Sequence, residues 1–72
     1  MAYVITCPEW DTVRHVSYTL YFSGEISLSG RILKIAWSTS LDDALYINDH
    51  DLFWKVYNCL CRIDWRCGFF VP

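Results

Sequence analysis

Basic side chains are scarce in this chain. Lys34 and Lys55 are the only lysines, four arginines are scattered along the 72 residues, and the net charge is −2. Direct nucleic-acid binders draw affinity from counterions released at a basic patch, and here the patch is missing. Three glycines and two prolines leave no P-loop, no G-x-G-x-x-G cradle and no linker or low-complexity stretch. There is no G-x-S-x-G elbow for hydrolytic chemistry. No apolar run approaches the ~20 residues of a membrane-spanning helix, and residues 1–9 lack the basic and apolar regions of a signal peptide. The expectation is a cytoplasmic protein that is not an enzyme and carries no cofactor.

That compartment sets the reading of Cys7, Cys59, Cys61 and Cys67. Disulfides persist in oxidising compartments, so four reduced thiols are expected. The spacing Cys59-x-Cys61-x5-Cys67 invites a zinc reading, but structural zinc needs four converging ligands. On a strand, Cys61 and Cys67 would lie about 20 Å apart, at about 3.3 Å per residue. Buried, inert thiols are the simpler account. Asp49-His50-Asp51 does not converge either, because neighbours on a helix point about 100° apart. No metal site is expected.

What the chain has in abundance is aromatic surface: four Trp, five Tyr and four Phe. A chain this short buries only about 60% of its unfolded surface, and Trp, Tyr and Phe are enriched where proteins meet proteins. With 54% hydrophobic and 19% charged residues, the composition is globular, and the length fits a single domain over residues 1–72.

Periodicity gives the fold class. Tyr3–Thr6 reads as a first strand stopped by Pro8, with Trp10-Asp11-Thr12 as a turn. Val16, Tyr18, Leu20 and Phe22 alternate with Ser17, Thr19 and Tyr21, as a half-buried strand does. Ile26 and Leu28 continue the sheet, and Leu33, Ile35 and Trp37 share one face of a strand over 31–37. Residues 41–47 fit a helical turn after Ser40 or an extended segment equally well. Asp49 and Asp51 suit a helix start, and Leu52, Phe53, Val56, Tyr57 and Leu60 recur at helical spacing. The spacing predicts one amphipathic helix over about 49–60. Alternation from Cys61 to Val71 predicts a long final strand, with Cys61, Ile63, Trp65, Cys67, Phe69 and Val71 in the core. The expected architecture is α+β: an antiparallel sheet of three to five strands with the helix packed on one face.

Tyr21 and Phe70 fall on the polar faces of their strands, and Trp54 falls at the margin of the helix's apolar stripe. Large aromatics so placed are candidate interface anchors. The partner-binding set is therefore Tyr21, Trp54 and Phe70, with Asp49 and Asp51 on the rim. Asp42, Asp43, Asp49 and Asp51 form an acidic ridge, which capping and solubility explain better than mimicry of a nucleic acid.

The stretch Ala36-Trp37-Ser38-Thr39-Ser40-Leu41-Asp42-Asp43-Ala44-Leu45-Tyr46-Ile47-Asn48-Asp49 resembles a pattern of small bacteriophage accessory proteins. In these a Trp-Ser/Thr strand leads through a spacer to an acidic helix start, an amphipathic helix and a last strand. The resemblance covers about residues 31–71. It implies an inhibitor of the anti-CRISPR or host-takeover type, which blocks a bacterial complex such as a CRISPR–Cas effector or RNA polymerase by steric occlusion. Two alternatives stand beside it: a self-associating structural subunit whose aromatics are buried in a homodimer, and a cysteine-based metal or redox module.

Overall fold

A computed structural model describes all 72 residues. In chain order the elements are β1 (Val4–Asp11), β2 (Val16–Phe22), β3 (Glu25–Ile26), β4 (Ile32–Lys34), β5 (Trp37–Ser38), a 3-10 turn (Leu41–Asp43), α1 (His50–Ile63) and β6 (Gly68–Phe70). One antiparallel sheet runs β5-β2-β1-β6, and β3 and β4 form a separate two-stranded ribbon. With one helix laid on one face of the larger sheet, the α+β class holds. No helix is long and apolar enough to cross a membrane.

β1 runs through Pro8 and includes Trp10 and Asp11, so the expected stop at Pro8 and turn at Trp10 do not occur. The reason lies in the register. β6 pairs with β1 only at Val4, Ile5 and Thr6, so beyond Thr6 one edge of β1 is open. Thr6 faces β6 and backbone groups alternate, so Pro8 directs its nitrogen to that open edge, where no N–H is needed. The hairpin turns at Thr12–His15. There the Asp11 carboxylate accepts the Val13 and Arg14 N–H groups at 2.9 and 3.1 Å, and its carbonyl accepts that of His15 at 2.9 Å. His15 closes the turn in the left-handed region, at φ 57°.

The expected strand over 31–37 is split between two sheets. Gly24 bends the chain out of β2, and a Cβ there would drive into the Lys34 carbonyl. Lys34 is thus held against Gly24 in the ribbon, while the Ser23 N–H bonds the Ala36 carbonyl at 2.9 Å and returns Trp37 to the main sheet. Of the face expected inside, Trp37 alone meets the core, edge-on to Phe22 at 5.6 Å, and Ile32 packs against that core from the ribbon. Leu33 and Ile35 stay exposed.

Both readings of 41–47 apply in succession. Leu41–Asp43 is helical, with the Ser40 hydroxyl accepting the Asp42 N–H. The following segment is extended, and Ile47 bridges Tyr3 through reciprocal bonds of 2.8 and 3.0 Å.

The helix begins as its sequence predicts. Asp49 has extended backbone, and its carboxylate accepts the Leu52 N–H at 3.0 Å, satisfying one orphan donor of the first turn. Phe53, Val56 and Leu60 form the buried stripe, against Tyr3, Ile5, Cys7, Phe22, Ile47 and Cys67. The far end differs from expectation. Cys61, Arg62 and Ile63 continue the helix, and only Gly68–Phe70 form the last strand. The chain stops helically at Asp64, whose N–H bonds the Leu60 carbonyl and whose carboxylate accepts from Arg66 at 2.9 and 3.1 Å and from the Cys7 thiol at 3.3 Å. These Arg66 bonds hold the Asp64 carboxyl well below the usual carboxylate range. Ile63 and Trp65, expected in the core, are 66% and 85% exposed, and Val71 is exposed too. A period of two over five residues was compatible with one more helical turn followed by a tight loop.

Candidate partner-binding surface

Strand register decides which side chains remain open to a partner. Ile5, Cys7 and Phe22 face the helix. Their neighbours Val4, Thr6, Pro8 and Trp10 of β1, and Ser17, Thr19 and Tyr21 of β2, therefore face the other way. β6 adds Phe70, opposite Val4, and β5 adds Ser38, opposite Tyr21. No element packs across this outer face. Val4 is fully buried there although it lies outside the helix-side core. Above it, Tyr21 and Phe70 reach across β1 and meet edge to face at 6.3 Å, one of the preferred geometries of aromatic pairs.

Two of the three sequence-predicted anchors thus come together on one surface. Further along the same face stands Trp10, 53% exposed, which sequence reasoning had assigned to a turn. Treating Pro8 as open-edge proline rather than a stop would have placed it. Tyr46, between the core-facing Leu45 and Ile47, is exposed on the same side of its segment.

Trp54 lies elsewhere. It packs on the helix side among Phe53, Tyr57 and Phe69, with centroids 5.3–5.9 Å apart. Its indole N–H donates to His50 Nε2 at 2.8 Å. An indole only donates, so Nε2 accepts, and the other ring nitrogen, Nδ1, lies 2.8 Å from the Tyr3 hydroxyl. His50 therefore ties the helix start to Tyr3, the residue before β1, and Trp54 is a partly exposed member of a stack of rings.

The acidic ridge is likewise divided. Asp49 is committed to its cap, and Asp51 is exposed beside it on the first helical turn; both belong to the start of the helix that carries Trp54, not to the strands that carry Tyr21 and Phe70. Asp42 and Asp43 instead edge the outer face, because Asp43 accepts a 2.8 Å bond from the Ser38 hydroxyl.

The thiols sit on the helix side. All four are free, with Cys7 and Cys67 buried and Cys59 exposed. The 20 Å separation expected of Cys61 and Cys67 does not hold, because Cys61 is helical. Burial, with Cys7 and Cys61 nearby, pushes the Cys67 thiol up to about 12. Burial and the Asp64 carboxylate raise Cys7 as well. Raised thiols are poor nucleophiles at neutral pH. No three His, Cys, Asp or Glu side chains are placed to hold a metal ion. Where the helix leaves the sheet, a cavity of about 220 Å³ opens between Leu20, Trp37 and Leu60, and Glu9 and Asp64 also line it.

Comparison with protein-family models, with curated proteins and with solved structures gives no match.

Proposed function

We propose that this chain is a non-enzymatic binding protein that acts by covering a surface of another protein with the outer face of its sheet. The observation that carries the reading is the Tyr21–Phe70 pair over buried Val4, with exposed Trp10 on the same face and no layer of this chain across it. Aromatic anchors at the centre of a patch and a polar margin are the usual anatomy of an interface. Ser17, Thr19, Ser38 and the Asp42–Asp43 turn supply that margin. The partner class we propose is a bacterial host complex such as a CRISPR–Cas effector or RNA polymerase, blocked by occlusion. Its warrant is the resemblance of residues 31–71.

The test is affinity capture from a bacterial lysate, identification of the partner, and titration of the purified pair. Trp10→Ala and Tyr21→Ala should each weaken binding by about 2 kcal/mol or more, with Trp10→Ala leaving the melting temperature nearly unchanged. Unaltered affinity in both variants would reject this face as the interface.

A further inference from the structure

The main sheet has four open edge stretches, and they are guarded unequally; that of β5 is only two residues long. The open stretch of β1 carries Pro8, which lacks an N–H, and the charges of Glu9 and Asp11. β6 is three residues long, with Pro72 two positions beyond it. Proline, charge and shortness are the devices by which natural sheets discourage edge pairing. β2 has none of them. β5 pairs only with Tyr21 and Phe22, and the remaining stretch Val16-Ser17-Tyr18-Thr19-Leu20 contains no charge, no proline and no glycine. Tyr21 directs its backbone groups towards β5, so by alternation Ser17 and Thr19 direct theirs to the same side. No turn, loop or side-chain hydrogen bond within the chain involves either residue.

We propose that this edge pairs with the same edge of a second copy, antiparallel, about a two-fold axis at Tyr18. In that register Ser17 of each copy lies opposite Thr19 of the other, and the two pairs exchange four N–H to carbonyl bonds. Val16 meets Leu20, and the two Tyr18 rings meet on the helix-side face. They have room to do so, because an open cleft of about 400 Å³ lies there, lined by Asp11, Arg14, Val16, Tyr18 and Thr39.

Charge favours a second copy as the occupant. The register carries the hairpin tip of one copy, with Arg14 and His15, past Leu20 towards Ser38 and the acidic turn of the other. Asp42 and Asp43 have no basic partner within their own chain. Arg14 has only a 3.8 Å contact with Asp11 and remains largely exposed. The result is one sheet in the order β6-β1-β2-β2-β1-β6, with each β5 still paired to Tyr21 and Phe22 of its own β2, and its two outer faces join into a single aromatic surface. The pairing does not depend on the identity of any other partner, and its test uses the purified chain alone.

Sedimentation equilibrium over a concentration series should show a monomer–dimer equilibrium, with a midpoint in roughly the micromolar range for so small an interface. Thr19→Pro removes a donor that faces away from β1, so it should weaken the dimer at least tenfold while leaving the β1–β2 ladder intact. If circular dichroism shows that this variant is misfolded, Tyr18→Lys decides. The new lysine sits opposite Glu9 in the monomer, a favourable cross-strand pair, and opposite its own copy in the dimer, an unfavourable one. Loss of the dimer in the folded variant supports the pairing. A chain that is monomeric at every concentration overturns it. So does a dimer that survives both substitutions, which would mean association through another surface.

Discussion

β1 and β2 are covered at one end and bare at the other. Tyr3, Ile5, Cys7 and Phe22 lie buried under α1. A few residues along the same ladder, Val16 and Tyr18 are 48% and 39% exposed on the same helix-facing side. Alternation is as regular in the bare half as in the covered one, so pattern does not account for the difference. Length does. A 14-residue helix spans about 21 Å, whereas the molecule extends 40 Å along its longest axis. The helix ends where the cavity beside Leu20 and Leu60 opens, and the hairpin beyond it projects as an arm. An isolated two-stranded hairpin is marginal in water. The covered half thus holds the fold, and the arm depends on the anchored strands behind it and is free to meet other surfaces.

This contrast is broken or sharpened by substitution at the two ends. The largest effect belongs to Phe53, fully buried and stacked on Tyr3 at 4.2 Å. Phe53→Ala should cost about 3–5 kcal/mol, read by urea denaturation, and a loss below about 1 kcal/mol would mean that the helix does not organise the core. Next comes the alkaline limit. The buried neutral thiols of Cys67 and Cys7 titrate higher in the fold than in the unfolded chain. Their contribution is complete below the free thiol value of about 8.5 and is lost as pH rises towards 12. Melting temperature should fall over that window, and Cys67→Ala should flatten the fall; an identical profile in the variant would reject the thiol as its source. Asp49→Ala removes the helix cap and should cost about 1 kcal/mol by the same denaturation curves. Trp10→Ala, in the arm, should change stability by no more than about 0.5 kcal/mol. A loss comparable to that of Phe53→Ala would show that the arm belongs to the folding unit.

The helix was legible because its signals are local. A carboxylate cap at Asp49 and a stripe at Phe53, Val56 and Leu60 require no knowledge of the rest of the chain. The α+β class followed from that helix and from the alternation of β2. The face that Tyr21 occupies was legible for the same reason, and so was that of Phe70, which keeps its orientation within the shorter β6. What was hidden depends on partners distant in sequence. Pro8 is tolerated in β1 because β6 begins only at Gly68, opposite Thr6, and nothing near Pro8 records that. Arg31–Trp37 reads as one strand because the approach of Lys34 to Gly24 is a tertiary contact. Ile63 and Trp65 fit a strand pattern, but Asp64, held by Arg66 and the Cys7 thiol, turns the chain between them. Trp54 looked like a free anchor until His50 was found to accept its N–H.

Hydrogen exchange along the β1–β2 ladder reads how firmly the covered half and the arm are held. The amides of Cys7 and Leu20 lie beside the core, whereas those of Glu9, Asp11, Val16 and Tyr18 lie in the arm, and all belong to paired residues of one ladder. Peptide-level exchange by mass spectrometry, on protein diluted below any self-association, separates the two groups. The core-side amides should exchange only through global unfolding, and the arm amides through a local opening several kcal/mol less costly. Equal protection along the whole ladder would contradict this, because the arm would then be held as firmly as the half that the helix covers.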